Sequence, residues 1–219
     1  MIRNFLLDLL FPKFCFSCQR EGSYLCKDCK ATLDILRFHQ KYNTEHLKDL
    51  YWALPYQNPL VKNLIGKFKY KPFVRSLSKP LSLLIINHFQ LIENPPSFLG
   101  GGSEFILIPV PLEKRRLKWR GFNQAEELAK ELSKFLKIPM VGNCLLKIKN
   151  TFPQVELSEE EREKNVLGAF LVKNKNGIKG KKILLVDDIF TTGSTLKECA
   201  RVLKESGARE VVGVVIARG

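Results

Sequence analysis

The sequence predicts a doubly wound α/β domain, with a parallel sheet covered by helices on both faces, preceded by a small cysteine-rich module. From about position 50 onward, short and nearly continuous apolar runs alternate with amphipathic runs, which is typical of buried parallel strands and their crossover helices. Before that point, four cysteines and several turn residues crowd a stretch that has no long apolar run. The chain of 219 residues suits one full domain plus a small unit, and we expect these units to be 1–45 and 46–219.

The first eleven residues carry apolar side chains at helical spacing, interrupted by two charged residues. The stretch is too short to span a bilayer and lacks a small-residue cleavage site, so we expect neither a transmembrane helix nor a signal peptide. We expect a helix packed on its own protein, with a membrane-surface or partner-binding helix as the alternative. The expected location is the cytoplasm, with the inner face of the membrane as the alternative.

Two close cysteine pairs follow, each with the C-x-x-C spacing that places two thiolates on one metal ion. Without a secretory signal, disulfides are disfavoured, which leaves a structural zinc site or a redox pair. Four cysteines fill a tetrahedral zinc site and leave no open position for catalysis. The sequence therefore predicts a zinc-ribbon-like module with the ligands Cys15, Cys18, Cys26 and Cys29.

The elements of the α/β domain follow from hydrophobic periodicity. Apolar runs predict strands at 50–56, 105–110, 144–148, 182–186 and 210–217. Amphipathic runs predict helices at 59–70, 77–92, 123–136, 158–165 and 194–206. Two prolines and three consecutive glycines predict an exposed loop at 94–103.

The segment after the strand at 182–186 carries the chemistry. A buried strand delivers Asp187 and Asp188, and a turn rich in Thr, Ser and Gly then leads onto a helix N-terminus, where backbone N–H groups and the helix dipole favour a bound anion. A phosphate fits the turn, and the carboxylates suit the vicinal hydroxyls of a ribose, directly or through a divalent cation. The alternative is that a hydroxyl merely caps the helix. The predicted ribose 5-phosphate site consists of Asp187, Asp188, Ile189, Phe190, Thr191, Thr192, Gly193, Ser194 and Thr195.

The formal net charge of +14 favours polyanionic partners. Eleven Lys and Arg residues against three glutamates lie between positions 60 and 120, where cations alternate with aromatic rings at 67–73 and 114–122. Such mixtures hold single-stranded nucleic acid through its phosphates and bases. Alternatively, the rings belong to the core and the arginines serve a small ligand. The predicted nucleic-acid contacts are Lys67, Lys69, Lys71, Lys118, Trp119 and Arg120.

The strand, acid pair and Thr-Thr-Gly-Ser-Thr loop at 182–195 resemble the type I phosphoribosyltransferases, which bind phosphoribosyl pyrophosphate (PRPP). The whole chain resembles the ComF family of competence proteins, which joins a zinc module to a phosphoribosyltransferase-like domain. Three further groups of segments match the ComF family. They are Pro-Val-Pro-Leu at 109–112 together with 115–116 and 120–124, Pro-Gln at 153–154 together with 157–158, and 161–162 together with 165–166 and 168–170.

The resemblance implies a role in natural transformation, with a PRPP-type ligand and Mg²⁺ at 187–195. It also implies that the loop at 111–116, with Arg115 and Arg116, meets pyrophosphate, and that a mobile loop at 151–165 covers the ligand. Three functions follow. The first is a handler of incoming DNA that binds PRPP and single-stranded DNA, the second is an active phosphoribosyltransferase with an unidentified acceptor, and the third is an adaptor that docks on a competence helicase or an inner-membrane translocase.

Overall fold

The computed structural model describes residues 12–149 and 158–219. The predicted N-terminal helix and most of the segment before the helix at 158–165 lie outside the described residues. The helices are α1 (Lys27–Ala31), α2 (Pro59–Lys69), α3 (Ser78–Leu91), α4 (Lys114–Arg120), α5 (Gln124–Leu136), α6 (Glu159–Val166) and α7 (Ser194–Glu205). The strands are β1 (Asp49–Pro55), β2 (Phe105–Pro109), β3 (Leu145–Lys147), β4 (Phe170–Val172), β5 (Lys182–Val186), β6 (Ile189–Phe190) and β7 (Glu210–Arg218).

The main sheet has the strand order β1-β7-β5-β2, and all of its strand pairs are parallel. The short strand β6 pairs with the end of β7. On the outer edge of the sheet, Leu107 of β2 forms a parallel bridge with Met140. This single residue extends the sheet on that side. The predicted parallel sheet is confirmed.

Each face of the sheet builds its own buried cluster, because successive side chains of a strand point to opposite sides. Leu184 and Val186 of β5 face one cluster, which includes the apolar sides of α2, α3 and α5. Ile183 and Leu185 face the other cluster, which includes α7 and the β3–β4 pair. This two-sided covering defines the doubly wound class, and it explains why β5 is apolar at four consecutive positions.

The structure differs from the sequence prediction at several places. The strand at 145–147 does not join the parallel sheet but pairs antiparallel with β4, which the sequence did not predict. The basic segment 114–120 is a helix, which the sequence did not predict. None of its residues is fully buried, so the segment lacks the apolar stripe by which an amphipathic helix is recognised in a sequence. The loop at 94–103 is not wholly exposed, because Phe98 is buried against Phe89 and Phe105.

The cysteine module packs directly on the α/β domain. Cys15, Leu25 and Leu33 are buried in the same cluster as Leu64 and Phe68 of α2. The side-chain amide of Asn63 in α2 also donates to the carbonyl of Phe16 at 2.9 Å. Within residues 12–149 and 158–219, no helix is long and apolar enough to cross a bilayer.

Candidate functional site

The acid pair lies at the carboxyl edge of the sheet, directly after β5. The Asp187 N–H donates to the carbonyl of Val214 at 3.1 Å, and the Asp188 carbonyl accepts from Ile216 at 3.0 Å, so β7 holds the backbone of both residues. The Asp188 N–H donates to Asp187 Oδ1 at 2.9 Å. Ligands of doubly wound domains bind at this edge of the sheet. The fold therefore places both carboxylates where such a ligand binds.

The turn between β6 and α7 requires glycine at position 193. Gly193 has a φ of 78°, and a Cβ added there would lie 2.2 Å from Cζ of Phe190. Thr192 Oγ1 and Ser194 Oγ are 2.7 Å apart and hydrogen bonded. Gly193 is the N-cap of α7 and has no side chain to cap it, but Thr192 Oγ1 accepts a hydrogen bond from the Ser194 N–H at 3.5 Å. Thr192 thus accepts from the first backbone N–H of α7 at the limit of hydrogen-bond distance, as the capping alternative expects, and the positive end of the helix dipole still favours an anion at this turn.

Lys69, the last residue of α2, reaches into the acid pair. Its Nζ lies 2.9 Å from Asp188 Oδ1, and the two side chains are 25% and 7% exposed. Burial opposes the charge of Lys69, but the carboxylates of Asp188 and Asp187 outweigh this effect and raise the pKa of Lys69. The sequence predicted Lys69 as a nucleic-acid contact, and the structure places it against the predicted ribose site.

Burial, followed by the negative charge of Asp188, raises the pKa of Asp187 to about 7, and Lys69 compensates only in part. The two adjacent carboxyl groups thus remain short of positive charge near neutral pH, although Lys69 contacts Asp188 and the charges of Arg120 and Lys147 also reach the pair. A divalent cation would supply that charge, and carboxylate oxygens are ligands that Mg²⁺ prefers. Asp187 and Asp188 therefore fit the Mg²⁺ that the family resemblance implies.

Two further basic side chains approach the acid pair. Burial lowers the pKa of Arg120 although the charge of Asp188 opposes this shift, and its Nε is buried without a hydrogen-bond partner among the described residues. Burial, followed by repulsion from Arg116, lowers the pKa of Lys147, while the charge of Asp187 acts in the opposite direction. Sequence reasoning missed Lys147, because it lies on β3, outside the main sheet, and no local motif marks it.

The predicted pyrophosphate loop lies beside the acid pair. Strands β2 and β5 are parallel neighbours with Pro109 opposite Val186, so the segment after β2 emerges next to Asp187. Arg116 is half-buried and its Nε lies 3.8 Å from Glu113 Oε2, whereas Arg115 is exposed. The segment 150–157 of the predicted covering loop lies outside the described residues, and the rest of that loop forms α6.

The structure joins the two basic stretches into one surface, formed by 67–73 and 114–120 and called here the basic-aromatic surface. The rings of Phe73 and Trp119 meet edge to face with centroids 4.7 Å apart. Tyr70 and Trp119 are 52% and 56% exposed, while Phe68 is fully buried and belongs to the core. Lys67 lies over the ring of Phe16 at 5.9 Å, and Lys71 and Lys118 are exposed. Lys69 and Arg120 connect this surface to the acid pair.

The sulfur atoms of Cys15, Cys18, Cys26 and Cys29 lie within 4.8 Å of one another. The sulfurs of Cys18 and Cys26 are 3.6 Å apart, close to the roughly 3.8 Å that tetrahedral zinc–thiolate geometry requires. The backbone N–H of Cys26 donates to the sulfur of Cys15 at 3.5 Å, and that of Cys29 to the sulfur of Cys26 at 3.4 Å. The four cysteines can therefore hold a metal ion such as zinc, and a complete set of four thiolates assigns that ion a structural role.

Residues 118–219 match the phosphoribosyl transferase domain family. The match begins within α4, ends at β7 and includes the acid pair and the loop at 191–195. With the parallel sheet and the four-cysteine cluster, it defines the class of this protein as a phosphoribosyltransferase-like α/β domain that carries a small N-terminal four-cysteine module.

The chain is similar to competence proteins of the ComF family. It is 42% identical to Competence protein F of Haemophilus influenzae over 48% of this chain and 46% of that protein, so it spans just under half of that relative. It is 28% identical to Competence protein ComFC of Bacillus subtilis, over 88% of this chain and 72% of that protein. It is also 35% identical to the DNA utilization protein YhgH of Escherichia coli K12, over 72% of this chain and 65% of that protein.

Proposed function

We propose that this protein handles DNA during natural transformation, binding PRPP with Mg²⁺ at 187–195 and single-stranded DNA on the basic-aromatic surface. The observation that carries the proposal is the placement of the acid pair between the N-terminus of α7 and that surface. The relatives named for competence and for DNA utilization support the biological role.

The chain's own residues divide the work of holding PRPP. The turn at 191–193 and the start of α7 hold the 5-phosphate through backbone N–H groups and hydroxyls. Asp187 and Asp188 accept hydrogen bonds from the ribose hydroxyls or hold Mg²⁺, which neutralises the charge of the ligand. Arg115 and Arg116 lie on the segment that emerges beside Asp187, where a pyrophosphate extends from the ribose.

Single-stranded DNA suits the basic-aromatic surface because exposed rings can stack on bases while lysines and arginines follow the phosphates. Neither basic stretch carries an evident base-reading motif. We therefore expect binding that is independent of sequence, that prefers single strands, and that weakens steeply with salt.

An active phosphoribosyltransferase is the second candidate, and one observation favours it. Arg115 and Arg116 lie on the segment that emerges beside Asp187, where they can stabilise the charge of a departing pyrophosphate. Such an enzyme needs little more than positioning of the ribose and stabilisation of the departing pyrophosphate. Release of pyrophosphate distinguishes the two candidates.

The test is a calorimetric titration of the full chain with PRPP and Mg²⁺, followed by an assay of pyrophosphate release with and without single-stranded DNA. The variant Asp187→Ala/Asp188→Ala should lose PRPP binding, whereas Asp34→Ala, which changes an exposed aspartate of the N-terminal part, should retain it. Circular dichroism checks that the double variant is folded. Unchanged affinity in the double variant would refute the ribose assignment. Binding without release supports the DNA handler, and release supports the enzyme.

A further inference from the structure

An open groove of about 780 Å³ lies between the four-cysteine module and the α/β domain. Phe16 and Tyr24 of the module line one side, and Phe73, Val74 and Arg75 of the segment after α2 line the other. This volume is within the range of about 300–1,000 Å³ that is typical of sites for small organic groups. The groove is separate from the acid pair and from the loop at 191–195, none of which lines it.

The walls of the groove are aromatic. Phe16 and Tyr24 are stacked, with ring centroids 5.1 Å apart and ring planes only 6° from parallel. Phe73 faces the groove while its ring contacts Trp119, so the groove opens onto the basic-aromatic surface. Partly exposed rings along an open groove suit another flat ring system, because aromatic edges and faces pack against bases.

The rim of the groove is cationic. Lys67 lies over the ring of Phe16, Lys71 is exposed, and the Arg75 side chain is 59% exposed. The acidic residue in the lining is Glu127, whose carboxylate is bound by Arg75 at 2.8 and 2.9 Å and by Lys130 at 2.8 Å. An occupant with negative charge outside the slot and flat rings inside it matches this arrangement.

Phe73 has a backbone conformation that side chains rarely adopt, with a φ of 56°. A non-glycine residue at positive φ is uncommon, and such backbone strain concentrates at functional sites. Here the strain accompanies a ring that contacts Trp119 and lines the groove.

We propose that this groove is a stacking pocket that takes one or two bases of single-stranded DNA, while Lys67 and Lys71 contact the flanking phosphates. The inference rests on the proposed DNA-handling function and locates part of it. It also gives the four-cysteine module a direct part in nucleic-acid binding, because the module supplies one aromatic wall of the pocket.

Fluorescence anisotropy of a labelled oligothymidylate of about 15 nucleotides tests the proposal on the full zinc-loaded chain. Phe73→Leu keeps an apolar side chain but removes the π face, and we expect it to weaken binding by at least about 5-fold. Phe73→Tyr keeps the ring and should bind as the unmodified chain does. Phe135→Leu, which removes a ring that is 42% exposed on α5 and outside the groove lining, is the matched control and should also bind normally.

An abasic oligomer of the same length isolates the contribution of the bases. The loss caused by Phe73→Leu should disappear with this probe, because it has phosphates but nothing to stack. Photocrosslinking of 5-iodouracil in the oligomer should label Phe16, Tyr24 or Phe73, which line the groove. Equal losses on both probes, or crosslinks confined to Tyr70 and α4, would overturn the pocket while the DNA-handling proposal stands. If the unmodified chain fails to bind the oligomer, or prefers duplex DNA, both proposals are wrong.

Discussion

The raised pKa of Asp187 makes a direct prediction about stability against pH. An aspartate normally has a pKa of 3.8, and that of Asp187 in the folded protein is about 7 because of burial and the neighbouring Asp188. The folded state therefore holds this proton more tightly than the unfolded state does. The resulting stabilisation is fully present below about pH 4 and is lost as the pH rises through about 7.

The magnitude follows from the size of the shift. About three pKa units at 1.36 kcal/mol each correspond to roughly 4 kcal/mol, which is an upper value because the Asp187 side chain keeps some exposure. Asp187→Asn removes the titration, and its Oδ1 can still accept from the Asp188 N–H. Relative to the unmodified chain, this variant should gain stability between about pH 4 and pH 7, by up to about 1.4 kcal/mol per pH unit, and level off above.

Urea unfolding at fixed zinc concentration, monitored by tryptophan fluorescence, measures this difference at several pH values. Asp34→Asn, at an exposed aspartate far along the chain from the site, provides the baseline for loss of one carboxylate. Added Mg²⁺ should reduce the difference, because it supplies the charge that the pair lacks. A difference that stays constant with pH would refute the raised pKa, and one that shrinks as the pH rises would reverse its sign.

Three further changes test other parts of the structure. Gly193→Ala places a Cβ within 2.2 Å of the Phe190 ring at a φ of 78°. PRPP affinity should therefore fall at least tenfold, and the free energy of unfolding should fall by about 1–3 kcal/mol. Normal PRPP affinity by calorimetry would contradict the loop geometry. Cys15→Ser should lower bound zinc, measured by elemental analysis, while Cys144→Ser, outside the cluster, should not; equal zinc in both variants would exclude the four-cysteine site. Lys69→Gln removes the cation that is ion paired with Asp188, so Mg²⁺ binding at about pH 8 should become tighter. Lys67→Gln, which changes a lysine over the Phe16 ring, should leave Mg²⁺ binding unchanged. Weaker Mg²⁺ binding after Lys69→Gln would show that the lysine supports the metal site.

The sequence by itself determined the features that are local in the chain. The strand, the acid pair, the turn and the helix of the predicted phosphate site are contiguous, so hydrophobic periodicity and the chemistry of helix ends were enough to place them. The four cysteines were equally clear, because the spacing within each pair fixes how two thiolates can share one metal. The bounds of β5 agree with the prediction residue for residue.

Only the tertiary structure decided which distant residues meet. Lys69 and Asp188 are far apart in sequence, and the packing of α2 on the sheet brings their charges within 2.9 Å. The pairing of β3 with β4 and the contact of Phe73 with Trp119 likewise join segments that carry no mutual signal in the sequence. Periodicity reports which face of an element is buried, whereas the partner of that face depends on how all the elements pack at once.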